Sequence, residues 1–290
     1  MNKVSLGKEL KNLRKKNKLT QIEACDKLYM SRKKLISIEQ GSTMPSFEDV
    51  YFMSKLYKYD VSNLIITYEK YSDFNIKNEI DIIESKLSDM EYDSLIENIE
   101  KLDKYKSINF FVEQYYYAVS GFYFMKLKSQ NIDIAIDFLI NMLKINNSDF
   151  DIYDYKKYSY SNLELRALIA LADCLRFKGD VKIYEDICEF SFSQLYSINI
   201  SYFIVSIQCA TMKSMQKDYK TSIQIVDKCV EDANNINNHS YLPYLYYLNF
   251  INYKKINNIS QANLYLEKAL FLCDCLNKTN LKNLILSKSA

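Results

Sequence analysis

A chain of 290 residues, 48% apolar and 26% charged, can bury a substantial core and divide into two domains. It has four Gly and two Pro, where average usage gives roughly 35 of the two together; this argues against a long β-protein, which turns on Gly and Pro, and against a nucleotide fold with a glycine-rich phosphate loop. The net charge of +2 hides an asymmetry, because residues 1–67 carry 13 Lys/Arg against 7 Asp/Glu and the remainder 25 against 29, so a small basic head precedes a mildly acidic body.

The fold class expected is all-α, and the elements follow in chain order. Leu6, Leu10 and Leu13 form one apolar stripe of a first helix whose other face carries Lys8, Lys11, Arg14, Lys15 and Lys16. Thr20-Gln-Ile-Glu23 is a capping box that starts a second helix, ending near Leu28. Ser31 caps a third, Arg32 to Gln40, stopped by Gly41. Ser46, after Pro45, caps a fourth that buries Val50, Met53 and Leu56, and a short fifth follows Asp60 with Val61 and Leu64.

Two helices of about nine residues joined by a tight turn form a helix-turn-helix pattern. The run Thr20-Gln21-x-Glu23-x-Cys25-x-Lys27-Leu28-x-Met30-Ser31-Arg32-x-x-Leu35-x-Ser37-Ile38-Glu39-x-Gly41 resembles the Xre/Cro-type DNA-binding domain over about 60 residues. The resemblance implies that Gln21 contacts a phosphate or orients the recognition helix, and that Arg32 and Lys33 meet base edges in the major groove. Ser31, Lys34, Ser37 and Gln40 complete the expected DNA-binding set, with Lys34 as apt for phosphate as for a base. It further implies a structural salt bridge between Arg14 and Glu39. The family usually has Gly where Tyr29 stands, so this turn is either strained or built differently.

Beyond residue 68 the sequence is apolar and aromatic at helical spacing, with weak self-similarity at about 40 residues. Tyr253, Ala262, Leu266 and Ala269 sit at tetratricopeptide-like spacings, as do Ser222, Val226 and Cys229, and less well Ala135, Leu139 and Met142. Helix pairs are expected at 75–88/91–106, 110–128/132–145, 161–178/181–197, 202–217/219–235 and 241–256/259–275, stacking into a superhelix whose concave wall is made by the first helix of each pair. Most of the 26 Tyr read as packing residues at repeat interfaces. Tyr115, Tyr123 and Tyr246 on inner helices suit a groove instead, together with Gln208, Asn249, Asn252 and Arg166, because side-chain amides pair with an extended peptide backbone. For Arg166 two readings stand, a peptide carboxylate or an internal salt bridge.

Seven Cys, odd in number and at helical apolar positions, read as reduced core thiols, and the side chains of Cys273 and Cys275 point about 200° apart on a helix. The single His, His239, leaves no multi-histidine metal site, and with no glycine loop or Ser/His/Asp set neither an enzyme nor a cofactor is expected. The charged N-terminus and the absence of a long apolar run predict a cytoplasmic protein without a membrane partner.

Head (1–67) and body (68–290) together resemble the Rgg/PlcR-type peptide-responsive regulators of Gram-positive bacteria, the RRNPP group. The resemblance implies a homodimeric, quorum-sensing transcription regulator that binds double-stranded DNA at a near-palindromic operator and a short signalling peptide in its repeats. The rival readings are a helical-repeat adaptor for a protein partner and a ligand-independent repressor of a mobile element.

Overall fold

A computed structural model describes residues 3–71, 73–126, 131–195 and 197–289. Among them the regular elements are all helical. The chain forms two compact units, one of residues 1–82 with 102–113, the other of residues 83–101 with 114–290.

The first unit opens with α1 (Lys3–Lys16), α2 (Gln21–Leu28), α3 (Arg32–Glu39), α4 (Phe47–Tyr57) and α5 (Val61–Tyr71). Each start is set by a local cap. Thr20 accepts from the Glu23 amide while Glu23 reaches back to the Thr20 amide, Ser31 accepts from the Lys34 amide, and Ser46 with Asp49 forms a second reciprocal box. Leu6, Leu10, Ala24, Leu28, Leu35, Ile38, Met53, Val61 and Leu64 close one apolar core, with Tyr57 buried beside them. Val50 and Leu56, expected in that core, are only partly buried against it. The fifth helix continues past residue 67 to Tyr71 because Thr67 and Tyr68 extend its buried face.

Tyr29 resolves the question posed by the missing glycine. It takes the left-handed conformation, φ 52°, so the turn is kept and the strain accepted, at a cost of about 1–2 kcal/mol for a residue with a Cβ. Its exposed ring meets Phe52 edge-on at 5.7 Å.

Two glycines let α1 lie against the end of α3. A Cβ on Gly7 would stand 2.5 Å from the Ile38 carbonyl oxygen and 2.8 Å from that of Glu39, while one on Gly41, at φ 73°, would stand 2.3 Å from the Lys3 carbonyl oxygen. The obstructing atoms are backbone, so Gly7→Ala must push the two helices apart. We expect a loss of about 1–3 kcal/mol, read as a lower midpoint in chemical denaturation, and an unchanged midpoint would show that α1 shifts freely.

The helix α6 (Phe74–Ser88) belongs by its first half to the first unit and from Ile83 onward to the second. It is followed by α7 (Leu95–Asp103), α8 (Phe110–Lys126), α9 (Ile132–Lys144), a 3-10 segment (Ile152–Lys157), α10 (Asn162–Phe177), α11 (Val181–Ser193), α12 (Ile200–Met215), α13 (Tyr219–Asn235), α14 (Leu242–Lys255), α15 (Ile259–Cys275) and α16 (Thr279–Ser289). The five expected pairs are all present; residues 127–128 and 196 of the expected helices lie outside the described residues. The 3-10 segment and α16 were not expected.

Within the second unit, α10 packs on α11, α12 on α13 and α14 on α15, and the first helices of these pairs also touch in succession. Small residues permit the close crossings: Ala135, Ser222 and Ala262, each three residues after the start of a second helix, are fully buried. The equivalent place in α11 is Tyr184, whose buried hydroxyl donates to Gln208 at 3.3 Å, which is why this pair escapes the repeat pattern.

The turns explain the scarcity of glycine. Lys217, Asn237, Asn257 and Asn277 recur every twenty residues with φ between 53° and 65°, ending successive helices in the left-handed region. Asn tolerates that region better than other residues with a Cβ, so it stands in for Gly at three of these four places. The residue after the turn then caps the next helix: Asp180, Asp218 and Asn258 each accept the amide three residues on.

Candidate nucleic-acid interface and ligand cavity

Helix α3, the expected recognition helix, is held from behind by one buried polar cluster. Arg14 donates from Nε to Glu39 Oε1 at 2.5 Å and from Nη2 to Oε2 at 3.0 Å, while its Nη1 holds the Leu19 carbonyl at 2.7 Å. Gln21 adds a bond from its amide to Glu39 Oε2 at 3.1 Å. Of the two roles considered for Gln21, this bond serves the orienting one, joining α2 to α3. The Arg14 guanidinium is held above its ordinary pKa, first by the bond to Glu39, against the opposing effect of burial.

The opposite face of α3 is open. Ser31, Arg32, Lys33 and Gln40 are exposed, and Arg32 and Lys33 form no ion pair among the described residues. Lys34 differs, for its ammonium lies 2.7 Å from Asp49, which also completes the α4 capping box. It thereby locks α3 to α4. Ser37 is half-buried, and its carbonyl accepts the Ser42 hydroxyl at 2.9 Å. Two unpaired cations on the first turn of α3, held in a fixed frame, form a surface suited to reading a major groove. Cys25, behind this surface, is buried with its thiol pKa pushed up chiefly by desolvation, the environment of an inert thiol.

The second unit carries a cavity of about 150 Å³. Its walls come from α8 (Phe122, Met125), α10 (Arg166, Ile169, Ala170, Asp173), α12 (Ile204, Ile207, Gln208), α14 with the residue before it (Tyr244, Tyr241), and Leu87, Ser88, Met90 and Tyr92. These are the first helices of four successive pairs, as the repeat reading requires. The charged groups in the wall are largely committed. Arg166 donates from Nη1 to both oxygens of Glu84, at 2.8 and 3.0 Å, and its guanidinium lies 4.5 Å from the centre of the Phe122 ring. The Tyr115 hydroxyl donates to the same carboxylate at 2.7 Å. Burial works against the Arg166 charge, yet the attraction of Glu84 leaves its pKa raised. Asp173 is paired with Arg176 at 2.7 Å. Lys126 is exposed at the cavity's edge.

Of the seven residues expected to suit a peptide groove, Arg166 and Gln208 line this cavity and five do not, Tyr115 being buried against Glu84 instead. Asn249 and Asn252 are fully buried on the other side of α14, where they donate to Asp227 at 2.9 Å and to Ser222 at 2.8 Å and tie α14 to α13. Tyr246 faces Tyr265 on α15 at 5.8 Å, and Tyr123 lies outside the cavity wall. The helical phase is the reason: Tyr241 and Tyr244 point inward, and Tyr246 lies two residues, or 200°, past Tyr244. For Arg166 the internal pair is present, and its partner Glu84 lies 82 positions earlier, beyond reach of any local motif.

Six of the seven cysteines are buried and all are free thiols; Cys273 is inside and Cys275 outside, as their spacing predicts. Among the described residues no helix is long and apolar enough to cross a membrane, and no group of three or more His, Cys, Asp or Glu side chains could hold a metal ion.

Residues 10–64 match the family HTH_3, helix-turn-helix. No curated protein matches the sequence. Among solved structures, the chain is similar to PlcR of Bacillus thuringiensis in complex with the peptide PapR7 and DNA, with a TM-score of 0.72 and 20% identity over 97% of this chain and 99% of that one. It is also similar to ComR from S. thermophilus in complex with DNA and its signalling peptide ComS, with a TM-score of 0.57 and 17% identity over 98% of each chain. A third similar structure is the PrgX/iCF10 complex, with a TM-score of 0.58 and 15% identity over 98% of this chain and 94% of that one. The chain therefore carries a helix-turn-helix within residues 10–64 and shares the fold of these proteins over nearly its whole length.

Proposed function

We propose that this chain is a DNA-binding transcription regulator whose operator binding is controlled by a short peptide taken up by the repeat unit. The observation that carries the reading is the combination, in one chain, of a rigidly backed recognition helix with two free cations and a cavity walled by the inner helices of four repeats. Three proteins of the same fold support it, one crystallised with DNA and the peptide PapR7, one with DNA and its signalling peptide ComS, and one as a complex with iCF10. Arg32 is the base reader of the interface and Lys33 its companion, with Ser31, Ser37 and Gln40 on the same side. The protein acts as a homodimer, two heads docking on half-sites whose separation the repeat units set. It works in the cytoplasm, as a regulator and not as an enzyme.

A salt-dependent gel shift with the DNA upstream of its own gene, repeated with candidate peptides of five to ten residues, tests this. A shift at low salt that one peptide strengthens or abolishes is the expected result; no shift would favour an adaptor, and a shift indifferent to every peptide a ligand-independent repressor.

A further inference from the structure

Arg166 is buried, yet only its Nη1 is used: Nε and Nη2 donate to no group among the described residues, and the side chain lines the cavity. A buried guanidinium with idle donors facing an apolar space is built to receive a planar anion. The space beside it, walled by Phe122, Ile169, Ala170, Ile204 and Ile207, has the volume of one bulky apolar side chain.

Charge balance decides how an anion enters. With Glu84 in place, the guanidinium is already neutralised, and a second carboxylate would put two anions on one cation away from water. If the incoming carboxylate replaces Glu84, the pair stays neutral, Tyr115 keeps an acceptor for its hydroxyl, and Glu84 regains hydration outside.

We propose that the cavity is a carboxylate-exchange subsite, in which a ligand carboxylate displaces Glu84 from Arg166 while an adjoining apolar side chain fills the space. Glu84 is thus the protein's own occupant of the ligand position. This rests on the peptide reading above and adds the chemistry of the recognised group, which a chain terminus or an acidic side chain can supply. Glu84 lies on α6, whose residues 74–82 belong to the unit that contains the helix-turn-helix.

The test uses the full chain and three probes in isothermal titration: N-acetylphenylalanine, its amide, and N-acetyl-aspartyl-phenylalaninamide, whose carboxylate is on a side chain. In Glu84→Gln the internal competitor is neutral, although the amide oxygen still accepts from Arg166. At least one carboxylate probe should then bind ten times more tightly or better than to the unaltered chain, and the amide probe should stay within twofold. Tyr115→Phe, which removes a hydrogen bond holding Glu84, should move the same probe in the same direction by a smaller factor. The carboxylate probe that gains identifies the source, terminus or side chain. Equal binding of carboxylate and amide probes, no gain in either variant, or no binding to any of the three proteins would overturn the exchange. The peptide reading is judged separately, by the response of DNA binding to longer peptides.

Discussion

Arg14→Met should unfold, or nearly unfold, the helix-turn-helix unit. The substitution keeps the length and apolar character of the side chain but leaves Glu39 buried with its charge and only the Gln21 amide to share it. Removing one partner of a buried pair costs about 3–5 kcal/mol. A head of some 70 residues has about 4–10 kcal/mol of stability in all, so most of it is lost. The Leu19 carbonyl, satisfied by the same guanidinium, is orphaned too. The damage comes from the leftover charge, so the double substitution Arg14→Met with Glu39→Met should recover much of the loss, because no ion remains buried. Chemical denaturation of the three variants, followed by circular dichroism, measures this. A single variant within about 1 kcal/mol of the original would mean that water reaches Glu39 and that the pair does not hold α3 in place.

The same residues show what a sequence can disclose. Thr20 and Glu23, or Ser31 before Arg32, act within one helical turn, so their spacing states their contact. The Arg14–Glu39 pair, 25 positions apart, was accessible only because the intervening motif resembles a known domain. In the body, Ala135, Ser222 and Ala262 mark tight crossings by their size, and the Asn-rich junctions mark turns, so the pairs were legible. The inner face was not. Helix α14 is enclosed by α12, α13 and α15 and is apolar or aromatic over most of its surface, and its buried polar pair, Asn249 and Asn252, faces α13. That polar pair therefore marks the wrong side, and nothing local distinguishes Tyr244, in the cavity, from Tyr246, outside it. Glu84 was missed as the partner of Arg166, and Tyr115 as a second donor to Glu84, because tertiary packing alone brings three helices to one carboxylate. Asp89 is a similar case: it accepts amide bonds from Asn280 and Leu281 across 191 and 192 positions, capping a C-terminal helix that carries no cap of its own. The low glycine content, first an argument against other folds, turns out to be a substitution of Asn for Gly at the same left-handed turns.

Arg32→Ala should separate the reading of bases from the holding of backbone. The side chain is exposed on the first turn of α3, and its guanidinium has no ion-pair partner among the described residues, so its removal leaves no buried orphan and the fold should persist. A bidentate contact with a guanine is worth about 1–3 kcal/mol of discrimination, roughly five- to 150-fold in affinity for the cognate operator. Random-sequence DNA, held through phosphates alone, should lose far less. Lys33→Ala provides the contrast if it touches phosphate: weaker binding of both DNAs, with the slope of log affinity against log salt reduced by about one. Lys34→Ala should act differently again, lowering stability before affinity, because its ammonium is already spent on Asp49. Fluorescence anisotropy over a salt series, with operator and scrambled duplexes, reads all three. Equal losses on the two duplexes for Arg32→Ala would remove it as the base reader and pass that role to Lys33, the other free cation at the start of α3.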